Sequence, residues 1–284
     1  MSTQKDIFTI EGKHGKPILI DVTTSKISTN TPIIIFCHGY KGFKDWGAWN
    51  LMADALALAG FCFIKFNFSH NGGTLEQPID FPDLEAFGQN NYTKELADLK
   101  AVMDWCFENE TIKTLGNINN LTLIGHSRGG GIVSITASED PRVKQVISLA
   151  GVSDFLKRSV ITSETETWKN TGVKYVTNGR TKQQMPHYYQ FYLDTIKNRD
   201  RLSIQNAVSN LNIPHLIVHG DVDTSVFIKE AENLHRWNPK SKLLIINNAD
   251  HVFQACHPWH KETLPLPLKE TVNQVIDFIN EFKT

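Results

Sequence analysis

The stretch Leu121-Thr122-Leu123-Ile124-Gly125-His126-Ser127-Arg128-Gly129-Gly130-Gly131 decides the reading of this chain. A short apolar run with branched residues enters Gly-His-Ser-Arg-Gly, and Ile132-Val133-Ser134-Ile135-Thr136-Ala137 continues as a helix would. Gly-x-Ser-x-Gly between a strand and a helix is the pattern of a nucleophile elbow, a turn so sharp that the serine hydroxyl stands clear of the sheet. Glycine inside a helix costs about 1 kcal/mol relative to alanine, so Gly129, Gly130 and Gly131 in succession need a reason. Close approach of helix and strand supplies one, because a side chain would not fit between them. The start of the helix would also aim backbone N–H groups at whatever the serine attacks.

The flanking sequence repeats a strand–helix–strand rhythm. Residues 6–11 and 17–23 alternate about Gly12-Lys13-His14-Gly15 and read as a leading β-hairpin at a sheet edge. Pro32-Ile-Ile-Ile-Phe-Cys37 is continuously apolar, as expected of a strand buried on both faces. It runs into the loop His38-Gly39-Tyr40-Lys41-Gly42. A helix is expected over 47–59, stopped by Gly60, then a strand over 61–66, an irregular stretch over 75–91 and a helix over 93–108. Further strands fall at 143–150, 214–219 and 241–246, with helices at 227–237 and 268–282. This order predicts an α/β fold with a mostly parallel central sheet and helices on both faces.

Residues 152–210 interrupt the rhythm with alternating charge blocks, a hairpin signal at Asn178-Gly179 and a helix from Gln190. They are too few and too polar for a large core of their own. They are therefore expected to form a cap inserted into one core, whose two parts are 1–151 and 211–284. Trp168, Tyr175, Tyr188, Tyr189, Phe191 and Tyr192 could line a pocket there, or only glue the cap to the sheet.

A serine hydroxyl needs a base, and the base an orienting acid. The strand 214–219 is followed by Asp221 and Asp223, and the strand 241–246 by Asp250-His251. The order Ser127, Asp223, His251 separates this arrangement from the trypsin-like and subtilisin-like orders. Asp154, after the strand 143–150, and Asp221 are the alternative acids, while Asp250 reads as a turn residue. His38 is expected to bond loop backbone, and His126 to pack. The base assignment implies that activity falls on the acid side as His251 protonates.

The other chemistries find little purchase. A formal net charge of −1 over 284 residues gives no basic field for nucleic acid or a membrane surface. The turn lacks the spacing of a phosphate-binding glycine loop. Cys37, Cys62, Cys106 and Cys256 are widely spaced with no CxxC, which points to a reducing compartment. Pro258 breaks the helix that His257 and His260 would need as a metal pair. No metal and no cofactor are expected. Without an apolar signal core at the first residues, a cytoplasmic, unexported protein is expected.

From the strand before His38 to the last helix, the chain resembles the α/β-hydrolase superfamily. His38-Gly39-Tyr40, Gly125-His-Ser-Arg-Gly129, His219-Gly-Asp-Val-Asp223 and Asp250-His251 carry the resemblance. It is strongest to the esterase and acyl-peptidase branches, including dienelactone-hydrolase-like and cinnamoyl-esterase-like enzymes. The resemblance implies an oxyanion hole made by the backbone N–H groups of Tyr40 and Arg128. It also implies a serine hydrolase acting on a small ester or acyl substrate. An aminopeptidase or acyl-peptidase, and a ligand receptor that retains the triad without turnover, are the alternatives.

Overall fold

The computed structural model describes residues 2–25, 29–159 and 164–282. Residues 160–163 of the expected insertion lie outside them. The chain opens with β1 (Thr3–Glu11) and β2 (Pro17–Ser25), followed by β3 (Thr31–Cys37), α1 (Trp49–Leu58) and β4 (Cys62–Phe66). Next come α2 (Leu84–Gly88), α3 (Tyr92–Glu108), α4 (Glu110–Leu115), β5 (Gly116–His126), α5 (Arg128–Glu139) and β6 (Val143–Leu149). The intervening segment holds α6 (Phe155–Ser159), α7 (Thr165–Thr171), β7 (Val173–Thr177), β8 (Gln184–Tyr188), α8 (Gln190–Lys197) and α9 (Ile204–Ser209). β9 (His215–Gly220), α10 (Ile228–Trp237), β10 (Lys242–Ile246) and α11 (Leu266–Glu281) complete the order.

Eight strands form one sheet in the order β1-β2-β4-β3-β5-β6-β9-β10. β1 and β2 are antiparallel, β2 meets β4 antiparallel, and every later pairing is parallel. The leading hairpin therefore ends one edge of the sheet, where its alternation places it. Along β3, Ile33, Ile35 and Cys37 join α3 and α5 in one core, while Ile34 and Phe36 join α1 and α11 in the other. Burial on both faces is why that run carries no polar alternation. From β3 the chain turns first to β4 on one side and then crosses to β5 on the other. In open α/β sheets such a switch point leaves a crevice at the carboxyl ends of the strands, and the Tyr40 loop and Ser127 both stand at these ends.

Five short helices depart from the sequence expectation. α2, α4, α6, α7 and α9 have five to seven residues each, too short for a helical period to register. The hairpin predicted at Asn178-Gly179 exists as β7 and β8, but its turn is wider than a two-residue loop. Thr177 pairs with Gln184, and Asn178 Oδ1 accepts the Arg180 and Thr181 N–H groups inside it. Among the described residues no helix is long and apolar enough to cross a membrane.

Candidate active site

β5 ends at His126 and α5 begins at Arg128, so Ser127 alone makes the turn. Its backbone lies at φ 57 and ψ −118, a conformation of the kind that costs a non-glycine residue on the order of 1–3 kcal/mol. The neighbours hold it there. Ser127 N–H donates to Leu149 O at 2.9 Å, and its carbonyl accepts from Gly130 N at 3.0 Å and Val152 N at 3.2 Å. A β-carbon at Gly129 would lie 2.4 Å from the Cys37 carbonyl oxygen, so the end of β3 and the start of α5 touch. Gly131 has a different reason: a β-carbon there would meet Phe155 and Ile204, both at 2.6 Å, from the segment between β6 and β9.

β9 and β10 bring two more side chains to Ser127. His251 Nε2 lies 3.0 Å from Ser127 Oγ, and His251 Nδ1 lies 2.8 Å from Asp223 Oδ2. A carboxylate only accepts, so Nδ1 carries the proton and Nε2 is free to take the serine's. The other Asp223 oxygen accepts from Ser225 N at 2.8 Å and Val226 N at 2.9 Å. Burial opposes the Asp223 charge, but the His251 bond and charge and these two N–H groups outweigh it and hold the carboxyl below its ordinary range. His219 Nε2–H donates to Val226 O at 2.7 Å, and burial lowers the basicity of its ring, keeping a neutral imidazole 3.4 Å from Asp223 Oδ2. His126 does more than pack. Its Nε2–H donates to the His251 carbonyl at 2.8 Å, and burial drops its pKa to about 3, so it fixes the His251 backbone as a neutral ring.

Ser127 and His251 open onto a cavity of about 420 Å³. Tyr40, Lys41, Tyr92 and Arg128 line it from the core, and Phe155, Trp168, Lys174, His187 and Phe191 line it from the segment 152–210. The sequence profile of a family described as alpha/beta hydrolase fold matches residues 32–168. Est1E from Butyrivibrio proteoclasticus, solved with ferulic acid bound, aligns with a TM-score of 0.73 and 18% identity, covering 97% of this chain and 98% of that one. The chain has the α/β-hydrolase fold. A dienelactone hydrolase from Anabaena variabilis aligns at 0.64 and 17% identity over 99% of each chain. An uncharacterized 31.7 kDa protein of Escherichia coli, from the traX-finO intergenic region, is 29% identical over 126 residues, 43% of this chain and 38% of that protein. The chain spans less than half the length of the curated relatives it matches first.

Within the α/β-hydrolase fold the remaining predicted residues divide. Asp221 is exposed, and Asp154 accepts from Lys157 N at 2.9 Å; among the described residues neither bonds to His251. Asp250 closes its own turn through Val252 N and Gln254 N. His38 Nδ1–H donates to Gly39 O at 2.9 Å and Nε2 accepts from Phe68 N at 3.3 Å, with its pKa lowered to about 4 by burial. The loop it braces passes close to Ser127, since a β-carbon at Gly39 would lie 2.9 Å from Ser127 Cβ. The Tyr40 side chain turns to the segment 152–210, where its hydroxyl is bonded to His187 Nε2 at 2.6 Å. Burial lowers the His187 pKa to about 3, so this ring is neutral too. His257 Nδ1 accepts from Gly47 N at 2.9 Å and its ring packs on Phe43.

The aromatic group splits. Trp168 and Phe191 reach the cavity, Tyr189 and Tyr192 stack on each other, Tyr188 presses on Gly88 and Tyr175 is exposed. Residues that sequence reasoning passed over include Lys41, Glu95 and His187. Glu95 had a legible signal. It falls on the buried stripe of α3 with Tyr92, Leu99, Val102 and Cys106, where an acid demands a partner. That partner is Arg128, whose Nη1 lies 3.2 Å from Glu95 Oε1.

Proposed function

We propose that the protein is a serine hydrolase that cleaves a carboxylic ester or related acyl bond. One observation carries the reading: Ser127, His251 and Asp223 are joined by two hydrogen bonds, and Ser127 and His251 line a cavity at the carboxyl ends of the strands. The Ser127 oxygen attacks the carbonyl carbon while His251 Nε2 takes its proton. Asp223 holds the imidazole in the reactive tautomer and stabilises the imidazolium. The N–H groups of Arg128, at the head of α5, and Tyr40 stabilise the tetrahedral oxyanion. His251 then gives the proton to the departing alkoxide, and water repeats the cycle on the acyl-enzyme. Residues 152–210 act as the cap that shapes the substrate site, and a reducing, cytoplasmic setting suits the four cysteines. Esterases among the solved proteins of this fold support the choice of reaction.

A fluorophosphonate probe tests it. Labelling of the native protein and none of Ser127→Ala is expected; equal labelling of the two, or none of either, would sink the hydrolase reading. The aminopeptidase alternative is less well served. Among the described residues the cavity lining offers no carboxylate to hold a substrate ammonium. Turnover of p-nitrophenyl esters with none of aminoacyl anilides is the outcome that separates the two.

A further inference from the structure

The charged side chains around the cavity all have one sign. Lys41, Arg128, Arg158 and Lys174 line it, with no aspartate or glutamate among the described lining residues. Two of the four are committed elsewhere. Arg158 reaches Glu230 Oε1 at 3.2 Å and Ser225 O at 2.8 Å, and Lys174 Nζ lies over the Trp168 ring at 3.8 Å. The other two meet at Tyr40. The Arg128 guanidinium carbon lies 4.4 Å, and Lys41 Nζ 5.1 Å, from the centre of its ring. Among the described residues one carboxylate, Glu95, pairs with these cations, and it bonds Arg128. Among the described residues Lys41 Nζ has no ion pair or hydrogen bond, and Arg128 spends only Nη1 on a partner. Its remaining guanidinium nitrogens are not among the atoms sealed from solvent without a partner. They therefore remain open to the cavity that Arg128 lines.

The placement also runs against local preference. Arg128 is the first residue of α5, where the helix presents its positive end and a cation is disfavoured. The proposed oxyanion role uses only the backbone N–H and does not call for this side chain. Tyr40, Tyr92 and Phe191 surround the guanidinium, which holds its plane and withdraws it from bulk water. A planar, pre-set fork with spare N–H groups is the geometry that receives a carboxylate on two parallel bonds.

We infer that Arg128, with Lys41 beside it, forms a carboxylate subsite, so that the preferred substrate is an ester whose acyl part carries its own carboxylate. This rests on the hydrolase reading and narrows it to acidic acyl groups, such as half-esters of dicarboxylic acids. The subsite draws the acid end of the acyl chain to Arg128 and leaves the ester carbonyl to Ser127.

The test compares p-nitrophenyl half-esters of glutaric and adipic acid with p-nitrophenyl pentanoate and hexanoate at fixed ionic strength. The native protein should favour the half-esters in kcat/KM by about tenfold to a hundredfold, mostly through KM, as a charge-assisted bond would give. That ratio should collapse in Arg128→Met and shrink in Lys41→Met, whatever the absolute rates. A ratio near one in the native protein, or one untouched by both substitutions, overturns the subsite. If no ester is turned over and the fluorophosphonate does not label, the hydrolase reading has failed instead. Calorimetry with glutarate against glutaramide then reads the subsite alone. Tighter binding of glutarate, weakened at least about tenfold in both variants, supports it, and equal binding of the two overturns it. Should Arg128→Met not fold, Glu95→Gln/Arg128→Met removes both buried charges together and serves in its place.

Discussion

The loop after β3 touches two buried clusters of charge, and they are built differently. In the first, Asp21 of β2 faces Lys65 of β4 across the sheet at 2.8 Å, and Lys44 of the loop reaches the same Asp21 oxygen at 2.8 Å. Asp45 bonds both lysines. Two carboxylates meet two buried ammonium groups, Lys65 has no exposed surface, and among the described residues only the rim residue Lys5 joins from outside, at 3.7 Å. In the second, Arg128 pairs with one carboxylate, Glu95, Lys41 beside it has no ion pair among the described residues, and both cations border a cavity. A balanced, closed cluster anchors the loop to β2 and β4. An unbalanced one, open on one side, has an affinity left to spend. Counting charge against solvent access distinguishes a structural ion network from a binding site.

The largest expected effect lies at the proposed triad, next to the open cluster. Ser127→Ala or His251→Ala should lower kcat/KM on the order of 10⁴-fold or more, with urea unfolding scarcely changed. Activity within tenfold of native would remove these residues from the mechanism.

The closed cluster should answer in stability instead. Lys65→Met leaves Asp21 buried with less compensation, and a loss of about 3–5 kcal/mol is expected in urea denaturation. Asp21→Asn on that background should recover much of it. A loss below about 1 kcal/mol, the range of exposed pairs, would erase the contrast between the clusters.

Asp98, one turn beyond Glu95 on α3, offers a pH test. Burial pushes its carboxyl up to about 7, against the pull of the Ser69 N–H and O–H bonds. The folded state thus keeps a proton that the unfolded chain releases near about 3.9. Stability from this group is present below the unfolded value and declines as pH rises towards 7. Asp98→Asn should therefore gain on the native protein by about 2 kcal/mol between pH 5 and pH 8. A stability difference that does not change over that interval would place the carboxyl in its ordinary range.

The smallest effects fall on the stability of the open cluster. Burial already raises the Glu95 carboxyl, with Arg128 holding it back. Once Arg128 is lost, Glu95 can take a proton and relieve the buried charge. Arg128→Met should cost about 1–2 kcal/mol, and Lys41→Met no more than about 0.5 kcal/mol. Losses as large as that of Lys65→Met would show the open cluster to be structural.

The fold was legible because burial on both faces writes itself into composition. The runs 32–37 and 61–66 could be read without knowing their partners, as could the stripe of α3. The short helices had quieter signals. Asp83, Asn109 and Ser203 each accept an N–H at the start of α2, α4 and α9, and a search for caps would have found them where periodicity could not. Lys65 gave no warning, because it stands as one charge in an apolar run and its partners come from β2 and from the loop after β3.

By itself, the sequence determined the parallel sheet, the sharp turn at Ser127 and the chain order of Asp223 and His251. These depend on residues close in sequence, whose spacing and burial are local properties. Only the tertiary structure decided how the charges are shared. Arg128 meets Glu95 from 33 residues away and Tyr40 from the far side of the switch point, and residues of the segment 152–210 line the cavity beside them. Electrostatic balance is a sum over neighbours in space, and spacing along the chain does not contain it.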